Sequence, residues 1–118
     1  MPSTIAFSRG AVVLVRFPFT DHRGGKQRPA LVISTDSYSR HGDDVILAAI
    51  TSQRFADPEP YDHPLEGWKS CGLLHPSVVR AGKIVTLDRS MIRRTLGRIP
   101  STDLAEVESR VREALGLT

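Results

Sequence analysis

The stretch from Gly10 to Ser34 constrains this chain most. It opens with Gly-Ala-Val-Val-Leu-Val-Arg-Phe-Pro-Phe, closes with Pro-Ala-Leu-Val-Ile-Ser, and holds Thr-Asp-His-Arg-Gly-Gly-Lys-Gln-Arg between them. Both ends are apolar and β-branched, and neither is long enough to suit a helix. They read as two strands flanking a polar loop, a hairpin or near-hairpin. Val12 to Val15 are apolar in succession, so the first strand (11–17) should be buried on both faces for part of its length. Pro18 then ends its pairing, because proline has no N–H for a ladder bond. The loop (20–27) carries Gly24-Gly25, which permits positive φ, and three cations lie in or beside it: Arg23, Lys26 and Arg28. Pro29 fixes its own φ and pushes Arg28 toward extended geometry. A cation set at a strand's start beside a glycine loop is one way to hold a phosphate. An ordinary glycine turn followed by a surface arginine is the other.

The rest of the chain reads as more short strands and one helix. A second strand covers 29–35, followed by a polar stretch (36–42) with one helical turn that Asp36 can cap. A third strand, 44–51, stops abruptly at Thr51-Ser52-Gln53, a hydroxyl and amide cluster that is usually turn chemistry. If the second and third strands pair, Thr51 comes near Arg28. Residues 54–72 hold Pro58, Pro60, Pro64, Gly67 and Gly72, so they read as a long connection with at most a short irregular strand. In and just beyond it, His63 and His75 are expected as solvated loop residues, because their spacing with Asp62 and Glu66 matches no standard metal-ligand pattern. Trp68 is expected as a hydrophobic lid. Residues 73–80 and 83–88 read as two strands joined by a tight turn at Ala81-Gly82. A helical turn at 90–94 and a last, edge strand at 95–99 follow. Pro100-Ser-Thr-Asp103 signals a helix, with Leu104, Val107, Val111, Ala114 and Leu115 on one face and Gly116 ending it. Glu106–Arg110 and Glu108–Arg112 are i,i+4 pairs on that helix. About five strands and a terminal helix give a mainly β fold with some α, a small curved sheet or barrel.

A chain of 118 residues suits one domain (1–118) with a core of its own. Its single cysteine, Cys71, forms no internal disulfide, which fits a reducing compartment. No apolar run approaches the roughly twenty residues of a membrane span, and the first residues do not read as a signal peptide. A cytoplasmic protein with no membrane contact is expected. The net charge of +3 conceals alternating blocks. Residues 1–40 and 69–100 carry balances of +4 and +6, whereas 41–68 and 101–118 carry −5 and −2. Such blocks suit a fold with one cationic face for a polyanion, or charges merely scattered over a solvated surface.

Val-Leu-Val-x-Phe-Pro-Phe-Thr-Asp, the glycine loop and Arg-Pro-Ala-Leu-Val-Ile-Ser together resemble the opening of the MazF/PemK family of toxin ribonucleases. The resemblance continues through Ile50-Thr51-Ser52, through Arg80-Ala-Gly-Lys-Ile-Val-Thr-Leu-Asp88 and into the C-terminal amphipathic segment. It implies an SH3-like small β-barrel (MazF/PemK/CcdB-like) with a C-terminal helix. It also implies a metal-independent, cofactor-free, sequence-selective endoribonuclease acting on single-stranded RNA. The implied products are a 2′,3′-cyclic phosphate and a 5′-hydroxyl. The family's catalytic arginine and threonine fall on Arg28 and Thr51. Lys26, Gln27, Ser52 and Gln53 are candidate RNA contacts, and no metal ligands are expected. The implied partners are a cognate antitoxin protein and a second copy of the chain. A two-fold axis would join the positive blocks into one longer groove.

Arginine exchanges protons poorly near neutral pH, so Arg28 suits an electrostatic clamp better than an acid or base. His22, in the loop, is the nearby residue of suitable chemistry, but the family needs no histidine there. Two readings compete with the ribonuclease. One is a toxin of the same fold that binds and poisons DNA gyrase without cutting RNA. The other is an inactive regulatory homologue. The Arg28–Thr51 combination favours the nuclease, since a binding-only toxin has no need of it.

Overall fold

The structure is a computed structural model, and residues 7–16, 27–54 and 57–117 are described. The elements in order are β1 (Ala11–Arg16), β2 (Gln27–Val32), α1 (Asp36–His41), β3 (Asp44–Ser52), β4 (Asp62–Pro64), β5 (Ser77–Asp88), a 3₁₀ turn (Arg89–Met91), β6 (Ile92–Arg98) and α2 (Ser101–Leu115). The six strands form one sheet in the order β4-β5-β3-β2-β1-β6, with every neighbouring pair antiparallel. The expected mainly β, barrel-like fold with a C-terminal helix is what forms. The ladder does not close on itself, and β4 and β6 are its edges.

Both faces of the sheet are buried, which explains the unbroken Val-Val-Leu-Val run in β1. Val13 and Val15 join Ala30, Val32, Val45, Leu47, Leu87 and Ile92 in one core. Val12 points the other way and joins Leu31, Ala48, Ile50, Val79 and, from α2, Val107. A period of two on β1, β2 and β3 therefore serves two apolar layers rather than one. Helix α2 lies on the second layer against β4 and β5. Trp68 packs half-buried there, as a lid over that layer.

Several expectations are corrected. Residues 73–88 do not make two strands and a turn. β5 is one strand of 12 residues, and Ala81-Gly82 lies inside it. Ala48 faces Ile84 while Ala49 faces Arg80, so residues 81–83 have no counterpart on β3. Ala-Gly is read by the fold as a bulge that bends the strand. The second strand starts two residues early, at Gln27, and ends at Val32, so Arg28 lies within a strand. The third runs one residue further, to Ser52, and the last begins at Ile92 because the turn before it is only Arg89–Met91. Helix α1 is capped by Thr35, whose Oγ1 accepts from Tyr38 N at 3.2 Å, and Asp36 is its first residue. Glu108 serves Arg9 rather than Arg112: Arg9 Nε and Nη2 donate to Glu108 Oε2 at 2.8 and 2.5 Å. Glu106–Arg110 does form, at 3.6 Å.

His63 is not a solvated loop residue. It is buried in β4, and its Nε2 lies 2.8 Å from Asp103 Oδ1. Asp103, in the first turn of α2, also accepts from the backbone N–H of Glu66 at 3.1 Å and of Gly67 at 3.0 Å. Burial alone would raise this carboxyl's pKa. The bonds from His63, Glu66 and Gly67 and the charge of His63 outweigh that and hold it below the usual carboxylate value. One aspartate thus fastens helix, edge strand and connection together. Sequence spacing gives no hint of it, because the partners lie about forty positions apart.

Candidate active site

The antiparallel register of β2 and β3 ends with Ala30 opposite Ala49. Carried two residues further, the same register sets Arg28 level with Thr51 and, one step beyond, Gln27 level with Ser52. Gln27, Arg28, Thr51 and Ser52 together line one cleft of about 540 Å³ at this end of the sheet. Arg28 and Thr51, which pairing of the two strands was expected to bring near one another, line the same cleft. Gln53 turns away and lines a separate groove with Pro58, Glu59 and Asp62. Lys26, like Arg23, His22, Phe17 and Phe19, lies outside the described residues.

The far wall of the cleft comes from elements that sequence reasoning did not connect to it. Leu73, Leu74 and His75 enter from the segment before β5, and Arg94 and Thr95 from β6. Glycines bring this wall into place. Gly72 has φ +76°, and a Cβ there would run into the Leu96 carbonyl. Gly97 lets β6 approach the same turn so closely that a Cβ would stand 2.5 Å from Ser70 O and 2.6 Å from Cys71 C. Arg98 N donates to Ser70 O at 3.1 Å across this seam. Only residues without a side chain fit two backbones so close together.

The cleft's electrostatics are one-sided. Its described lining includes Arg28 and Arg94 and no carboxylate. Several cations counted in the positive blocks are committed elsewhere. Arg80 is buried and held by Glu59 at 3.0 Å, Asp62 at 3.3 Å and the Asp57 carbonyl at 3.0 Å. Arg89 donates to the carbonyls of Ser39 and Gly42, and Arg98 to Ser8 and the Arg9 carbonyl. The guanidinium groups of Arg28 and Arg94 bond no described residue, and Arg28 is exposed. Two guanidinium groups that bond no described residue, in a cleft also lined by hydroxyls, have the chemistry to hold a phosphodiester. Cys71 is no rival nucleophile: burial, helped by the nearby Asp103 charge, pushes its thiol up to about 11.

A family model for the PemK-like, MazF-like toxin of type II toxin–antitoxin systems matches residues 8–115. The chain belongs to this family. Among curated relatives of this toxin is the endoribonuclease MazF6 of Mycobacterium tuberculosis, strain H37Rv. The two are 27% identical over 100 residues, which is 85% of this chain and 88% of that protein. The MazE–MazF crystal structure (Form-III) from Deinococcus radiodurans superposes with a TM-score of 0.78 at 29% identity, covering 97% of this chain and all of that one. An endoribonuclease in complex with its cognate antitoxin, from a mycobacterial species, shares the fold at a TM-score of 0.77 and 22% identity. That match covers 94% of this chain and 96% of that one. No helix among the described residues is long and apolar enough to cross a membrane.

Proposed function

We propose that this toxin is an endoribonuclease that cuts single-stranded RNA in the cleft between β2, β3 and β6. The observation that carries the reading is that Arg28, whose side chain bonds no described residue, and Thr51 line one cleft whose described lining holds no acid. The RNA's own 2′-hydroxyl oxygen attacks phosphorus, the P–O5′ bond breaks, and a 2′,3′-cyclic phosphate and a 5′-hydroxyl result. The nucleophile belongs to the substrate, so no metal-activated water is required. Arg28 neutralises the charge that builds on the non-bridging oxygens, and Thr51 donates a hydrogen bond to one of them. Ser52 and Gln27 flank this pair and are suited to backbone or base contacts. A gyrase-binding toxin would have no use for a guanidinium and a hydroxyl lining one cleft.

The same chemistry describes the inhibitor. The solved Deinococcus relative is a MazE–MazF complex, and we expect an antitoxin here whose acidic segment covers the cleft and competes with RNA. A disordered segment with carboxylates for Arg28 and Arg94 and apolar anchors fits such a site. The test is incubation of the purified protein with a long single-stranded RNA in excess EDTA. The expected products have 5′ ends that a kinase labels directly and 3′ ends that resist it until the cyclic phosphate is opened. An uncut RNA, or cutting that appears only when Mg²⁺ or Mn²⁺ is restored, overturns the proposal.

A further inference from the structure

Breaking P–O5′ releases an alkoxide unless a proton arrives as the bond parts, and neither Arg28 nor Thr51 supplies one near neutral pH. The described lining of the cleft contains one imidazole, that of His75, the side-chain type most often used as a general acid or base. The other charged groups lining the cleft are Arg28 from β2 and Arg94 from β6, both guanidinium groups that keep their protons.

The position of His75 is fixed by its backbone, while its ring bonds no described residue. Ser77 Oγ donates to the His75 carbonyl at 2.9 Å, and Gln53 N donates to the Pro76 carbonyl at 3.0 Å. The first bond is local; the second ties the segment to the end of β3, the strand that carries Thr51. Pro76 disfavours helical geometry at His75. The imidazole is exposed and bonds no described side chain. An imidazole that bonds no described side chain thus lines the same cleft as Arg28, Thr51 and Arg94.

We propose that His75 is the general acid of the RNA cleavage, delivering a proton to the leaving 5′-oxygen. This rests on the ribonuclease reading of the cleft. As the 2′-oxygen bonds to phosphorus and P–O5′ breaks, imidazolium gives its proton to O5′ and becomes neutral. The 2′-hydroxyl proton passes to solvent, and solvent returns a proton to His75 before the next turnover. Nothing else is consumed.

A leaving group that needs no proton isolates this step. Two single-stranded substrates of one sequence are compared, one with the ordinary 5′-oxygen and one with a 5′-bridging sulfur at the cleaved linkage. General acids typically contribute about 10²–10⁴-fold, so His75→Ala and His75→Gln should lose about a hundredfold or more in kcat/KM on the ordinary RNA. On the sulfur-bridged RNA both should run within about threefold of wild type, because a thiolate leaves unprotonated. Arg28→Ala should stay slow on both. A descending limb in the wild-type pH–rate profile should be missing in His75→Gln. If the histidine variants keep full activity, or are equally slow on both substrates, His75 is not the acid. If wild type cuts neither RNA, the ribonuclease reading itself fails and this proposal falls with it.

Discussion

Replacing Asp103 by alanine should cost several kcal/mol of stability, about 3–5 in all. The carboxylate is 3% exposed and takes three hydrogen bonds, from His63 Nε2 and from the N–H groups of Glu66 and Gly67. Asp103→Ala leaves all three donors facing a methyl group. Each stranded buried donor costs about 1–3 kcal/mol. Glu66 is exposed and Gly67 half-buried, so water can reach those two donors, and the low end of the range applies to them. The sum is then about 3–5 kcal/mol, the range found when one member of a buried ion pair is removed. Asp103→Asn keeps one acceptor oxygen and should lose about half as much. The assay is urea unfolding at pH 7, with an unchanged m-value taken as the sign that only stability has moved. The pH dependence adds a second check. The native carboxyl has a depressed pKa, so its contribution is complete above the unfolded value, about 3.9. It is lost as pH falls through the native value, and the gap between wild type and Asp103→Ala should narrow below about pH 4. A loss under about 1 kcal/mol, or a gap that does not narrow in acid, would refute this account of how α2 is anchored.

Gly72→Ala should lose at least about 1–3 kcal/mol from the left-handed backbone alone, before the clash with Leu96 is counted. Thermal melting checks this, and cleavage should suffer as well because Gly72 leads into the cleft wall. Duplex RNA should resist cutting, since an A-form helix holds the 2′-oxygen away from the line of attack on P–O5′. One labelled strand tested alone and annealed to its complement decides that point, and equal rates would point to a nuclease that reads helix shape. Light scattering at micromolar concentration should return twice the 13.0 kDa chain mass, as expected for a two-fold dimer, whereas a clean monomer mass refutes the dimer.

The parts of the fold that were legible are those written in local patterns. β1 through β3 show in their β-branched runs, and α2 shows in its 3.6-residue period and its Gly116 cap, which adopts φ +73°. Arg28 and Thr51 were legible as a pair because they sit at the adjoining ends of two strands that follow each other in the chain. What local pattern could not show are relations across long separations. Ala81-Gly82 has the composition of a turn, and only pairing with β3 makes it a bulge. His63 looked solvated because its carboxylate partner is forty positions away in α2. His75, Leu74 and Arg94 reach the cleft because Gly72 and Gly97 let two backbones touch, and an isolated glycine in a sequence does not say what approaches it. Charge blocks misled in a similar way. Arg80, Arg89 and Arg98 count toward a positive face but are spent on carboxylates and carbonyls within the fold.

The central claim is that the cleft lined by Arg28 and Thr51 cleaves RNA. Its most direct test is the single-turnover rate on one single-stranded RNA, in EDTA, for wild type and Arg28→Ala side by side. Arg28 is exposed and bonds no described residue through its side chain, so the variant should fold and melt like wild type. The account predicts a loss of at least about a hundredfold, as for removal of one oxyanion donor. Thr51→Ala should lose less, since it gives up one neutral hydrogen bond. A folded Arg28→Ala protein that cuts at the wild-type rate would contradict the claim and put the chemistry elsewhere on the molecule.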